Sequence, residues 1–287
     1  MDLYSIRNQK PIAKSQKPMC GRYVVVSELQ EIEKKFNVKT EQPEQFRMNF
    51  NVGPGSMAPI ISSAKPDMLQ LSRFGLTPFW AKKKMYLFNA RSEGDHNKED
   101  DPRYTGARGI ITKPAFRKPI RSKRCLVVAD CFYEGPKKER LSKPYLVYLQ
   151  KGKRPFAFAG IYDEWVDQDT GEVSTGHSII TTVSNSLTQK IGHHRSPVIL
   201  KESDYSTWLN LDTPLEGVTS LLEPYPGKEM NAYPVSTRVK SPRENDKDLI
   251  LPVGERVVKE FDYEIHRSLK LFGMGQSPAR NRRLNEE

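Results

Sequence analysis

The Met19-Cys20 dipeptide carries the most distinctive chemical option in this chain. If Cys20 is the first residue, its free α-amine and its thiol form a 1,2-aminothiol. An aldehyde meeting that pair condenses with the amine to an imine and then takes the thiol at the same carbon, closing a thiazolidine ring. The amine's ordinary pKa of about 7.7–8.0 and the thiol's of about 8.5 bring both nucleophiles within reach of neutral pH. Taken alone, the dipeptide fits better a small buried residue at the start of a strand. A second reactive group is the carboxylate in Cys131-Phe132-Tyr133-Glu134-Gly135. Three bulky residues before Glu134 and a glycine after it press the carboxyl into a dry site, where burial raises its pKa toward use as a proton carrier. His193-His194-Arg195 sets two of the five histidines beside an arginine. No HExxH spacing and no carboxylate cluster accompany them, so neither a metal nor a cofactor is expected.

Two further stretches read toward a polyanion. Pro78-Phe79-Trp80 runs into Lys82, Lys83 and Lys84. Aromatics interleaved with cations suit a single nucleic-acid strand, with a base stacked on Trp80 and lysines at phosphates; a core tryptophan beside a solvated lysine run is the other reading. Lys113 to Arg124 carries Lys113, Arg117, Lys118, Arg121, Lys123 and Arg124 around Phe116. That run either tracks a phosphate backbone, with affinity that falls as salt rises, or is a solvated face. The net charge of +11 and pI near 9.4 put nucleic acid first among partners.

These groups need a scaffold, and 287 residues with 37% hydrophobic content suffice for one large domain. β-branched and aromatic runs predict strands at Tyr23–Val26, Ala58–Ile61, Met68–Phe74, Cys125–Asp130, Tyr145–Leu149, Phe156–Tyr162 and Ile179–Val183. Ser27 reads as the N-cap of a helix presenting Leu29, Ile32 and Phe36, and two helices are predicted at Asp204–Leu209 and Leu215–Leu222. Gly94–Gly109 is charged and reads as a surface insertion. Many short strands at hairpin spacing and few helices give an α+β fold, mainly antiparallel β, as packed or barrel-like sheets with flanking helices. Residues 1–18 are expected to be a disordered extension or upstream leader, 19–272 a single domain, and 273–287 a flexible basic tail. Three cysteines without a CxxC pair fit a reduced compartment. No apolar run is long enough to span a membrane, so a cytoplasmic protein is expected, on the nucleoid if bacterial.

Seven separated segments, in order, resemble the SOS response associated peptidase (SRAP) family, whose members shield abasic sites in single-stranded DNA by covalent cross-linking. They are Met19-Cys20-Gly21-Arg22-Tyr23, Asn51-Val52-Gly53-Pro54-Gly55, Gly75-Leu76-Thr77-Pro78-Phe79-Trp80, Asn89-Ala90-Arg91-Ser92-Glu93, Arg124-Cys125-Leu126-Val127, Phe132-Tyr133-Glu134 and His193-His194-Arg195-Ser196-Pro197. The resemblance covers roughly residues 19–240. It implies that Cys20 forms the thiazolidine with the ring-opened aldehyde, that Asn89 orients the α-amine, that Glu134 moves protons, and that His193 helps open the sugar. It further implies that Arg22 and Arg91 hold flanking phosphates, that Phe79 and Trp80 stack or separate bases, and that Thr182 lies near the site. Arg117 and Lys118 of the basic run join them as expected DNA contacts. The implied partner is single-stranded DNA containing abasic sites, bound by a monomer.

Two departures stand out. Most family members carry this cysteine as residue two, whereas eighteen residues precede Met19 here, and an amide nitrogen on Cys20 would forbid the ring. Initiation at Met19 followed by methionine removal is the expected route, with self-removal of the leader as the alternative. The family also usually has Trp after the glutamate, where this chain has Gly135. Two other functions remain open on the sequence: a thiol peptidase with Cys20 attacking under His193 or Glu134, and a non-catalytic single-strand-binding module.

Overall fold

The computed structural model describes residues 21–40 and 42–260. Cys20, the 1–18 extension and the 273–287 tail lie outside the described residues. Twelve strands organise the chain: β1 (Arg22–Val25), β2 (Asn49–Val52), β3 (Met57–Ser62), β4 (Lys65–Phe74), β5 (Asn89–Arg91), β6 (Arg124–Ala129), β7 (Cys131–Glu134), β8 (Tyr145–Leu149), β9 (Phe156–Val166), β10 (Val173–Val183), β11 (Arg195–Pro197) and β12 (Met230–Pro234). The expected mainly antiparallel α+β architecture is what forms.

One sheet closes on itself: β10 pairs β4, β4 pairs β3, β3 pairs β6, β6 pairs β9, and β9 returns to β10. Closure removes the exposed edges and buries both faces of the central strands. That is why β6 reads Arg-Cys-Leu-Val-Val-Ala without alternation and is buried throughout. The second sheet runs β12-β8-β7-β1-β2 and packs a core on each face. Its strands alternate strictly: Tyr23, Val25, Phe132, Val147, Leu149 and Ala232 enter the main core, while Val24, Val26, Cys131, Tyr133, Leu146, Tyr148 and Tyr233 enter a smaller one behind. Short 3-10 turns at Thr237–Lys240 and Lys247–Ile250 supply Val239, Leu249 and Ile250 to that second core.

The sequence reading needs correction in several places. Strand β10 is longer than the predicted Ile179–Val183, and along one edge it pairs β4 and then β5 in parallel, an arrangement that hairpin spacing cannot reveal. Ser27 does not cap the first helix, α1 (Leu29–Phe36). Glu28 is the cap residue, and Ser27 instead gives its hydroxyl to Asp130 Oδ1 at 2.5 Å. Asp130 Oδ2 also accepts from the backbone N–H of Val26 at 2.6 Å and of Ser27 at 2.8 Å, and Arg154 Nη1 lies 3.5 Å from Oδ1. Asp130 sits between β6 and β7, where the chain passes from one sheet to the other. Its carboxylate therefore locks the far end of β1 and fixes the register that carries Arg22.

Arg124 is also misplaced by composition. It is buried, and its guanidinium donates to the backbone carbonyls of Trp208, Ile120, Arg121 and Asn210 at 2.6–3.0 Å. It ties the fold together and takes no part in a surface patch. Elsewhere in that run, Lys123 pairs with Asp163, Lys113 pairs with Asp95, and Arg121 bonds the carbonyls of Ile111 and Arg117. Arg117 and Lys118 remain exposed.

Candidate active site

β1 and β7 run antiparallel with Arg22 opposite Tyr133 and Tyr23 opposite Phe132. This register brings Gly21 and Arg22 beside Glu134, at the mouth of a cleft of about 790 Å³. The same cleft is lined by Pro54, Arg91, Tyr133, Gly135, the turn from Pro136 to Ser142 except Lys138, His193, His194 and Lys240. Among the described residues, Arg22, Arg91, Lys137, Arg140 and Lys240 face it against only Glu134 and Glu139, so its field favours an anion.

Glu134 ends β7 and is 3% exposed, as the bulky run before it predicts. Its Oε2 lies 3.2 Å from Nε2 of His193, which is also buried. The other ring nitrogen of His193, Nδ1, is 2.6 Å from the Gly135 carbonyl oxygen. A carbonyl can only accept, so Nδ1 carries a proton and donates. His193 Nε2 therefore faces the Glu134 carboxyl group within hydrogen-bond reach, in a buried corner of a cationic cleft.

The arginines are held for different reasons. Arg22 Nη1 donates to Asn51 Oδ1 at 2.9 Å and Nη2 to the Lys240 carbonyl at 3.0 Å. Asn51 is in turn tied to the Ser241 and Glu244 carbonyls, both at 2.9 Å. Gly53 leaves room for this: a Cβ there would sit 3.0 Å from Arg22 Nη1. Partial burial lowers the Arg22 pKa from its usual value but leaves so strong a base charged. Arg91 ends β5, paired to Thr181 on β10, and its Nη2 meets Asp100 Oδ1 at 2.9 Å and the Asn97 carbonyl at 2.5 Å. The Gly94–Gly109 segment is therefore not a plain surface insertion, since Asn97 is buried and Asp100 nearly so.

His194 turns away from Glu134. Its Nε2 is 3.7 Å from Asp100 Oδ2, and its ring lies 4.9 Å from that of His193. Burial lowers its pKa to about 4 against the opposing pull of Asp100, so it is neutral at pH 7. Of the two histidines, His193 is the one that meets the glutamate. Among the described residues no group of three His, Cys, Asp or Glu is arranged to hold a metal ion.

Of the residues singled out from sequence, Arg22, Arg91, Glu134 and His193 share the cleft. Asn89 is buried on β5, two residues before Arg91, and does not line it. Thr182 is fully buried, with its hydroxyl on the Leu222 carbonyl at 3.1 Å, and does not line the cleft. Phe79 and Trp80 are 50% and 51% exposed, outside the cleft lining. Their backbone is pinned by Phe79 N–H to Asp163 at 2.9 Å and Trp165 Nε1 to the Ala81 carbonyl at 2.7 Å, so both rings stand outward on a fixed turn. Lys118 Nζ caps the Phe79 ring 4.3 Å from its centre. The sequence reading missed Lys137, Arg140 and Lys240. The only signal for the first two was the Lys137-Lys138-Glu139-Arg140 run after Gly135, which reads equally as a solvated turn.

A family profile described as SOS response associated peptidase (SRAP) matches residues 19–242, a span that includes every cleft residue named above. Abasic site processing protein YoqW of Bacillus subtilis (strain 168) is 36% identical over 238 residues, covering 81% of this chain and 99% of that protein. Abasic site processing protein HMCES of Gallus gallus is 27% identical over 260 residues, covering 77% and 73%. A crystal structure of a protein from Bacteroides thetaiotaomicron aligns with a TM-score of 0.69 at 28% identity, covering 82% of this chain and all of that one. With its cleft residues inside the matched span, the chain belongs to the SOS response associated peptidase family.

Proposed function

We propose that this chain processes abasic sites in DNA by taking a single strand into the cationic cleft and joining the lesion to Cys20 as a thiazolidine. The observation that carries the reading is the buried Glu134–His193 contact in a cleft that begins at Gly21, the residue bonded to Cys20. An abasic sugar interconverts between a closed ring and a free aldehyde. Opening needs a proton delivered to the ring oxygen and another removed from the anomeric hydroxyl, work suited to a carboxyl group and an imidazole in contact. The α-amine of Cys20 then adds to the aldehyde carbon, and the hydroxyl so formed leaves as water after accepting a proton. Finally the thiol adds to the imine carbon while its proton passes to the ring nitrogen. One water leaves overall and no redox change occurs.

The rest of the site supports binding. Arg22 and Arg91 offer planar, permanently charged forks to phosphates flanking the lesion. Phe79 and Trp80 offer outward rings on which bases stack. Asn89, from within β5, takes the orienting role that the family resemblance implies. The names of the relatives, abasic site processing proteins, agree with the lesion chosen.

The test is to mix protein beginning at Cys20 with a single-stranded oligonucleotide bearing one abasic site, and with its intact counterpart. A denaturation-resistant adduct is expected with the lesion only, and none with Cys20→Ala. Salt-sensitive binding of both oligonucleotides without an adduct would reduce the protein to a binding module.

A further inference from the structure

Asp100 is a meeting point of charges that the roles above leave unexplained. Its Oδ1 accepts from Arg91 at 2.9 Å, and its Oδ2 accepts from Lys137 Nζ at 3.0 Å. His194 Nε2 and Arg195 Nη1 stand 3.7 and 3.9 Å away, Arg195 being already matched by Glu93 at 2.7 Å. Arg91, Lys137 and His194 line the cleft, but Asp100 does not, and its side chain is only 9% exposed. The carboxylate therefore reaches both cations from the protein side. Arg91 spends its Nη2 donors on Asp100 and the Asn97 carbonyl and Lys137 one of its three on Asp100, so Nη1 of Arg91 and two ammonium donors remain for the cleft.

Both ends of this clamp are built. Asp100 adopts a left-handed backbone with φ of 59°, tolerable for Asp, and its N–H returns to the Asn97 carbonyl. Asn97 in turn binds Asp101 through both its amide groups. Lys137 is seated by its own N–H on the Gly192 carbonyl at 2.9 Å and by the turn from Pro136 to Arg140, closed at 2.7 Å. That turn exists because residue 135 is glycine. A Cβ there would fall 1.8 Å from the Arg140 carbonyl oxygen, so no side chain at 135 is compatible with it. The absence of the tryptophan usual at this position and the presence of a cation-bearing wall are thus one structural event.

We propose that Asp100 is a positioning residue that sets Arg91 and Lys137 side by side as a two-cation seat for consecutive phosphates of the DNA backbone, which makes Lys137 a DNA contact. The inference rests on the reading that the cleft receives a DNA strand. Physically, the carboxylate offsets the repulsion between the two cations and orders a long lysine side chain before the strand arrives, so that less rotamer entropy is lost on binding.

The sign of one substitution is diagnostic. Asp100→Asn removes a negative charge near bound DNA, and by long-range electrostatics alone it would tighten binding. If Asp100 positions the seat, binding weakens instead. The experiment is binding of an undamaged single-stranded oligonucleotide across a salt series, using the full chain. Asp100→Asn is expected to weaken binding about threefold or more. Lys137→Ala is expected to flatten the log–log salt slope by about 0.7, with Lys137→Arg restoring it. Lys138→Ala, an exposed residue of the same turn outside the cleft, controls for loss of a charge. Tighter binding by Asp100→Asn, or a Lys137→Ala slope equal to that of Lys138→Ala, would overturn the proposal while leaving the function standing. Should Asp100→Asn fail to fold, the lysine substitutions on the exposed turn decide alone. Wild-type protein that does not bind the strand would instead take down the functional reading itself.

Discussion

Replacing Glu134 by Gln separates chemistry from docking, and the structure gives the size of each effect. The amide occupies the volume of the carboxylate in a site only 3% exposed, so packing is unchanged. Its N–H₂ can donate to His193 Nε2 across the 3.2 Å contact, while Nδ1–H stays on the Gly135 carbonyl. The contact is kept as a neutral hydrogen bond, so stability should change by no more than about 1 kcal/mol. What is lost is a carboxyl group able to give and take a proton. General acid–base assistance contributes about 10²–10⁴ in rate, or about 2.7–5.5 kcal/mol of barrier. The five cations of the cleft are untouched, so affinity for an abasic strand should stay within about threefold. Single-turnover adduct formation, followed alongside binding anisotropy, measures both quantities. Equal losses of rate and affinity, or a rate within threefold of wild type, would refute the assignment of Glu134 as proton carrier.

Other substitutions probe the frame around that pair. Arg91→Ala should lower single-strand affinity and reduce the salt slope by about 0.7, and an unchanged slope would make Arg91 purely structural. His177 lies fully buried in the core, 3.4 Å from the Tyr23 hydroxyl and stacked on Phe74, and burial lowers its pKa from 6.5 to about 3. Below pH 6.5 the unfolded chain binds a proton that the folded chain refuses, so stability present above pH 6.5 is lost as pH falls toward 3. At pH 5 the loss from this residue is about 2 kcal/mol. Urea unfolding at pH 7 and pH 5 should show His177→Phe losing that much less than wild type, and identical losses would contradict the linkage. Gly135→Ala places a Cβ 1.8 Å from the Arg140 carbonyl, and the displaced turn should cost about 1–3 kcal/mol on unfolding and weaken DNA binding. Wild-type stability and affinity in that variant would show that the turn yields freely.

How much of this was legible in the sequence depended on whether the signal was local. The apolar runs of β6, β8 and β9 and the aromatic residues of β7 announced their strands, because burial on both faces or on alternate faces is written into consecutive residues. The dry setting of Glu134 followed from the same run. Partners across the chain were not legible. Ser27 has the composition of a helix cap, but Asp130, about a hundred residues away, claims its hydroxyl. Arg124 reads as part of a basic patch, yet four backbone carbonyls brought together by helix ends and loops bury it. Thr182 lies in a stretch of β10 that is buried on both faces, which its own residue type does not reveal. Nor could the adjacent pair Asp100-Asp101 show which carboxylate enters the site; a left-handed backbone at Asp100 decides that. Parallel pairing of β10 with β4 and β5 escaped because neither contact is made through a hairpin.

The central claim is that Cys20 closes a thiazolidine on the abasic sugar, and the most direct measurement is the state of Cys20 in the isolated adduct. Protein beginning at Cys20 is allowed to react with an abasic single strand, denatured, treated with a thiol alkylating reagent and digested, and the Cys20 peptide is weighed. The account requires a mass equal to peptide plus sugar fragment less one water, with the Cys20 thiol closed to the reagent and the bond resistant to borohydride. An alkylated Cys20 on a borohydride-reducible adduct would reveal an imine alone. A cross-link elsewhere in the chain would contradict the account outright.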